Sequence, residues 1–317
     1  MADGNTYGKA GQRLMRITRS GHIATAVVIV SLALACSSSP SGPTTPVGGG
    51  TPGAGATGVT VAILAAGDIG MCGRPEVAQT ARLVAGLDGD LLLAGDLAYF
   101  QGTAENFRDC FNPSWGQFQS RWHPVPGNHE YESPGAAPYF AYFGAAAGPA
   151  GLGYYAFTAG DWLILMLNSN TPATRGSPQW EFARRELERQ RTPCTMAVWH
   201  HPLFSSGPNG PNGAMRDMWS LLEENDAEVV VSGHDHLYER FARQTAGGAP
   251  DPVNGIRQLI VGTGGAELYN FLRVTANSEE RILKFGVMRF TLRPAQIDWE
   301  FHAIDGSVSD RGLDTCR

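Results

Sequence analysis

The chain is 317 residues long, 43% hydrophobic and 17% charged, with 40 glycines and 20 prolines, which is too apolar for a disordered chain and too rich in glycine and proline for a helical bundle. Its formal charge is −6, and because Lys9, Arg13, Arg16 and Arg19 stand against Asp3 alone in residues 1–36, the remainder is more acidic still. That balance excludes bulk binding to nucleic acid or to an anionic lipid surface, where basic groups supply most of the affinity.

Residues 1–36 read as an export signal. An uncharged apolar run over residues 23–35 follows the basic stretch RLMRITRS; it is shorter than the roughly 20 residues of a membrane span and has the length of a signal-peptide core. Leu32-Ala33-Leu34-Ala35-Cys36 resembles a bacterial lipoprotein processing site, in which cleavage leaves the cysteine as the acylated first residue. Two or more acyl chains then hold the protein to a membrane. Cleavage at an ordinary small-residue site, giving a secreted protein, is the alternative, and both Met1 and Met15 are candidate starts. Residues 37–58 (SSSPSGPTTPVGGGTPGAGATG) carry no charge and no hydrophobic period, as expected of a disordered linker.

Across residues 59–317, expected to form one domain, a single pattern recurs. Apolar runs at 59–66, 91–94, 124–126, 196–199 and 229–232 lead into Gly67-Asp68, Gly95-Asp96, Gly127-Asn128-His129, His200-His201 and Gly233-His234-Asp235-His236. Short continuous apolar runs are what strands buried on both faces look like. Helices are expected over 75–87, 177–190 and 214–224, a hairpin over 154–168 turning at Ala159-Gly160-Asp161, and further strands over 257–261, 285–292 and 296–303. Alternating strands and helices predict an α/β fold whose site lies outside the carboxyl ends of the strands. The number of strands predicts a second sheet packed on the first.

Export leaves Cys72, Cys110, Cys194 and Cys316 in an oxidising compartment. Three pairings exist; Cys72 with Cys110 and Cys194 with Cys316 is the expected one, the first pinning two loops beside candidate site segments and the second tying the C-terminus to the body. None has the close C-x-x-C spacing of a zinc or redox site.

The converging polar residues are Asp68, Asp96, Asn128, His200, His234 and His236. Mixed carboxylate, amide and imidazole donors suit first-row metals rather than calcium. Six ligands exceed the need of one catalytic ion, whereas two ions sharing a carboxylate use them all. In an extended Gly233-His234-Asp235-His236 the histidines face one way and Asp235 the other. Each motif alone is an ordinary turn; five in one chain are not.

These blocks, with Gly67-Asp68-Ile69-Gly70, Gly95-Asp96-Leu97-Ala98-Tyr99, Gly127-Asn128-His129-Glu130, Trp199-His200-His201-Pro202 and Gly233-His234-Asp235-His236-Leu237-Tyr238-Glu239-Arg240 in that order, resemble the calcineurin-like metallophosphoesterases. Asp-x-Gly at block one and Tyr99 three residues after Asp96 resemble the purple acid phosphatase branch. The resemblance implies a four-layer αββα sandwich. It implies one ion, ferric iron, on Asp68, Asp96, Tyr99 and His236, and a divalent zinc, manganese or iron on Asp96, Asn128, His200 and His234. It further implies hydrolysis of small phosphomonoesters by a hydroxide on the two ions, with His129 assisting the leaving group. Plant members of the branch carry more substrate-facing histidines between blocks four and five; residues 203–214 hold none, so His201, Asn209 and Asn212 are the candidates to contact phosphate beside Asn128 and His129. The expected protein is therefore a cell-envelope phosphatase held by its lipid. A phosphodiesterase on the same scaffold, or a metal- or phosphate-binding surface module without turnover, are the alternatives.

Overall fold

A computed structural model of the chain describes residues 58–189 and 192–317; the expectations for the leader, Cys36 and the linker as far as residue 57 lie outside them. The strands are β1 (Val61–Ala66), β2 (Asp90–Ala94), β3 (Trp122–Val125), β4 (Tyr155–Ala159), β5 (Trp162–Met166), β6 (Cys194–Val198), β7 (Val229–Ser232), β8 (Tyr238–Phe241), β9 (Arg257–Val261), β10 (Ser278–Ile282), β11 (Gly286–Arg293), β12 (Gln296–Ala303) and β13 (Val308–Thr315). Six of them form a sheet in the order β13-β12-β11-β1-β2-β3, and seven form a second in the order β10-β8-β9-β7-β6-β5-β4. Both are mixed. In the first, β1, β2 and β3 run parallel and β11 to β13 continue antiparallel. In the second, β5, β6, β7 and β9 run parallel between antiparallel edges.

Side-chain alternation along each strand builds the layers. Ile63 and Ala65 of β1 face the core between the sheets, where they meet Leu92, Ile164, Met166, Val198, Val231 and Phe290. Leu64 and Ala66 face the other way, onto Val77, Ala81 and Val84 of α1 (Pro75–Ala85) and onto Phe107, Phe111 and Trp115. Two short helices follow, α2 (Asn128–Tyr131) and α3 (Ala137–Phe143). Beyond the second sheet, Leu163, Leu165, Val230 and Ile260 pack on Trp180 and Ala183 of α4 (Pro178–Arg189) and on Met218, Trp219 and Leu222 of α5 (Arg216–Glu223). Central strands are thus covered on both faces, which is why they read as unbroken apolar runs. The result is the four-layer αββα sandwich.

Several boundaries differ from expectation for local reasons. Helix α1 ends at Ala85, because Gly86 turns its N–H back to the Leu83 carbonyl at 3.1 Å. The helix expected over 214–224 starts as a 3₁₀ turn at Gly213–Met215 and becomes α-helical only at Arg216. Strand β13, with sequence VSDRGLDT, has no counterpart among the expected elements; it is a half-exposed edge strand on β12. The helical stretch of residues 104–115 likewise has no counterpart among the expected elements, although Phe107, Phe111 and Trp115 are fully buried there. Disulfides join Cys72 to Cys110 and Cys194 to Cys316, the pairing expected.

Candidate metal centre

The polar residues leave the carboxyl ends of parallel strands: Asp68 after β1, Asp96 after β2, Asn128 after β3, His200 after β6 and His234 after β7. Three come from one sheet and the rest from the other, so the site spans the seam between them. The seam is closed by the Gly67 N–H donating to the Val261 carbonyl at 3.0 Å and by His200 Nδ1 donating to the Ala94 carbonyl at 2.8 Å. Asp68, Asp96 and His234 have φ of 60°, 50° and 72°. Non-glycine residues seldom occupy that region, at a cost on the order of 1–3 kcal/mol each. Glycine neighbours make room for the bends: a Cβ on Gly95 would meet the His200 ring, and one on Gly127 would overlap Asp96 Oδ1.

Backbone donors fix one oxygen of each carboxylate and leave the other facing inward. Asp68 Oδ2 accepts the His234 N–H and Asp96 Oδ1 accepts the His129 N–H, both at 2.9 Å. Around Asp68 Oδ1 lie the Tyr99 hydroxyl at 3.0 Å and His236 Nε2 at 3.3 Å. Around Asp96 Oδ2 lie the same hydroxyl at 3.4 Å and His200 Nε2 at 3.1 Å, and Asn128 Oδ1 is 3.1 Å from that nitrogen. Ligand atoms of His200, His201 and His234 lie within 4.8 Å of one another, as do those of Asp68, Asp96 and His200. His236 Nδ1 donates to the Glu267 carbonyl at 2.6 Å. With Nδ1 so engaged in both His200 and His236, it is Nε2 that faces the cluster, the orientation that metal-ligating histidines need. Asp96 Oδ2 belongs to both halves of the set. This donor arrangement fits a pair of first-row ions.

Electrostatics point the same way. Burial opposes the charge on Asp96, yet His200 and then His129 hold its carboxyl well below the usual range. His200 is buried as well, but Asp96 lifts it to about 9. His236 is raised by Asp68 against the effect of burial. Burial, followed by repulsion from His200, lowers both His201 and His234 to about 3. Burial and then the Asp68 and Asp96 carboxylates push the Tyr99 phenol well above 10; a bound cation reverses that logic and favours phenolate.

Around this cluster stand further residues of the same sequence blocks, Glu130 and Asp235. The buried Glu130 carboxylate accepts four backbone N–H groups: Oε2 from Asp96 at 3.0 Å and Gly127 at 2.7 Å, Oε1 from Leu97 at 2.8 Å and Ala98 at 3.2 Å. It ties the turn after β2 to the turn after β3. Asp235 points away from the histidines and accepts the Ser205 hydroxyl and the Asn209 N–H. The segment carrying it is bent rather than extended, because Asp235 and Leu237 each donate to the carbonyl two residues back; the alternation of side chains survives that correction.

The contact candidates divide. His129 stands at the rim, its Nδ1 bonded to the Phe100 carbonyl and its Nε2 3.8 Å from Asp96 Oδ2. His201 is buried against His234, with its Nδ1 2.8 Å from Ser169 Oγ. Asn209 donates its side-chain amide to the His234 carbonyl at 2.8 Å and so holds that segment. Asn212 caps the turn before α5, its Oδ1 accepting the Ala214 N–H at 3.0 Å; an asparagine just ahead of a helix is the signal that fits this use.

Residues 61–238 match the calcineurin-like phosphoesterase family. Purple acid phosphatase 18 of Arabidopsis thaliana is 29% identical over 191 residues, spanning 55% of this chain and 43% of the relative. The phosphoenolpyruvate phosphatase of Allium cepa is 30% identical over 176 residues, 48% of this chain and 36% of the relative. The chain therefore spans less than half the length of these relatives. In fold it is similar to purple acid phosphatase PPD1 from yellow lupin, with a TM-score of 0.70 at 20% identity over 82% of this chain and 54% of that one. Since the family match covers more than half of its residues, the chain belongs to the calcineurin-like phosphoesterases.

Proposed function

We propose that the protein hydrolyses small phosphomonoesters at a two-ion centre. The observation that carries the reading is the convergence of Asp68, Tyr99 and His236 on one side of Asp96 Oδ2 and of Asn128, His200 and His234 on the other. Tyr99 suits ferric iron, a phenolate being a hard ligand, and the imidazole-rich half suits zinc, manganese or ferrous iron. Two such ions, when bound, supply Lewis acidity to the phosphoryl oxygens and lower the pKa of water.

The chain's own residues do the rest. With Nδ1 bonded to the Phe100 carbonyl, His129 keeps Nε2 free to hold a proton for the departing alkoxide, assistance worth about 10²- to 10⁴-fold. Asn128 offers its amide nitrogen to a phosphoryl oxygen while Oδ1 faces the cluster. His201, held by Ser169, orients the ester from the His234 side. The buried backbone donors on Asp68 and Asp96 keep both carboxylates aimed without rearrangement, the kind of preorganisation that electrostatic catalysis requires. We also propose that residues 1–36 direct export, with Cys36 as the lipid-bearing residue, and that residues 37–58 are a tether. Two disulfides fit the oxidising side of a membrane.

Hydrolysis of p-nitrophenyl phosphate against bis-p-nitrophenyl phosphate by the disulfide-bonded protein, supplied with iron and zinc or manganese, tests the reading. Preference for the monoester supports it, and preference for the diester overturns it in favour of a phosphodiesterase. Asp96→Asn is expected to abolish turnover and to lower retention of both ions; full metal content in that variant would contradict the sharing of Asp96.

A further inference from the structure

We propose that Phe100 selects the leaving group, so that the preferred ester carries an aryl or similarly flat apolar alcohol resting on the Phe100 ring. This rests on the phosphoesterase reading above. Leu97, Ala98 and Tyr99 are buried, yet the next residue, Phe100, is 56% exposed. A single exposed apolar side chain is ordinary on a protein surface. This one is placed by its own backbone against the residue that serves the leaving group: the Phe100 carbonyl accepts from His129 Nδ1, and the two rings lie 6.3 Å apart at 63°. An alkoxide oxygen served by His129 sits within about 3 Å of Nε2, and Phe100 is the exposed apolar ring beside that imidazole.

The neighbouring surface is aromatic as well. Tyr99 lies 5.9 Å from Phe100 and 4.4 Å from His129; His236 lies 5.7 Å from Tyr99; and Tyr269 stacks on His236 at 4.0 Å and 8°. Rings therefore run from one flank of the cluster to the other, and Phe100 is the most exposed member of that row. A flat ring covering it gains edge-to-face or offset contact that an alkyl group cannot match. An anionic alcohol would meet the negative face of an aromatic ring where it needs a counter-charge.

The test compares kcat/KM for phenyl phosphate and methyl phosphate in the wild type and in Phe100→Ala, where the methyl ester controls for chemistry common to both. The phenyl-to-methyl ratio is expected to fall about 3- to 10-fold in the variant, with Phe100→Leu between. An unchanged ratio, including equal loss on both esters, overturns the proposal. Binding of benzylphosphonate relative to methylphosphonate, measured by calorimetry on the metal-loaded proteins, reads the same contact without turnover. Should the wild type hydrolyse neither ester, the proposed function fails while the phosphonate ratio still decides the role of Phe100: a fall supports it and no change refutes it.

Discussion

In the protein without bound metal, raising the pH from 6.5 to 9 should weaken the folded state by about 3 kcal/mol. The source is His200, fully buried, with Nε2 3.1 Å from Asp96 Oδ2 and lifted from 6.5 to about 9. Below pH 6.5 folded and unfolded chains both hold the proton, and the ion pair stabilises fully. Between 6.5 and 9 the folded chain keeps a proton that the unfolded chain has released, so stability falls as pH rises; at 1.36 kcal/mol per pH unit the window is worth about 3 kcal/mol. The lowered pKa of Asp96 is the same interaction seen from the carboxylate and is not counted again. His201 and His234, both lowered to about 3, act in the opposite sense and in a different window, adding stability as pH rises from 3 to 6.5. Urea unfolding of the stripped, disulfide-intact protein, followed by tryptophan fluorescence at several pH values, measures this directly. Asp96→Asn removes the partner of His200 and should flatten the limb above pH 6.5. A wild-type midpoint independent of pH between 6.5 and 9, or an equal slope in the variant, would refute the pairing as the cause.

Glu130→Gln keeps the shape of the buried side chain but sets an amide NH₂ against two of its four backbone donors; at about 1–3 kcal/mol for each orphaned group, a loss of roughly 2–6 kcal/mol is expected. Metal affinity should drop with it because the Asp96 turn loosens, and a variant with unchanged unfolding midpoint and metal titration would show that Glu130 holds nothing. For the disulfides, chain entropy ranks the two links by the sequence separations they close, 122 residues for Cys194–Cys316 and 38 for Cys72–Cys110, giving about 5 and 4 kcal/mol respectively. Paired Cys→Ala variants compared by denaturant unfolding check the order, and a larger loss at the shorter loop would show that local contacts, rather than unfolded-chain entropy, dominate there.

What could be read from residue types follows from which groups do the work. The strands β1, β2, β6 and β7 are legible because both their faces are covered, and the convergence of Asp68, Asp96, Asn128, His200, His234 and His236 is legible because each follows the carboxyl end of such a strand. Strand β13 was not, since its outer face is wet and its cross-strand pairing with β12 leaves no apolar period. Residues 104–115 hid their helical character behind Asn112-Pro113 and a π-helical turn at Phe107–Phe111. Asn209 and Asn212 are candidates for phosphate by residue type alone, because an asparagine amide looks the same whether it meets a ligand, a carbonyl or a helix end. The deepest gap is Glu130: all four of its partners are main-chain N–H groups, three of them more than 30 residues away in sequence. Every residue except proline carries that donor, so no choice of side chain at Asp96, Leu97 or Ala98 could mark them as the groups a buried carboxylate would gather. The same holds for the left-handed backbone at Asp68, Asp96 and His234. Ligand identity is written in side chains, whereas ligand aim is written in backbone geometry, and only the first of these is visible before the chain folds.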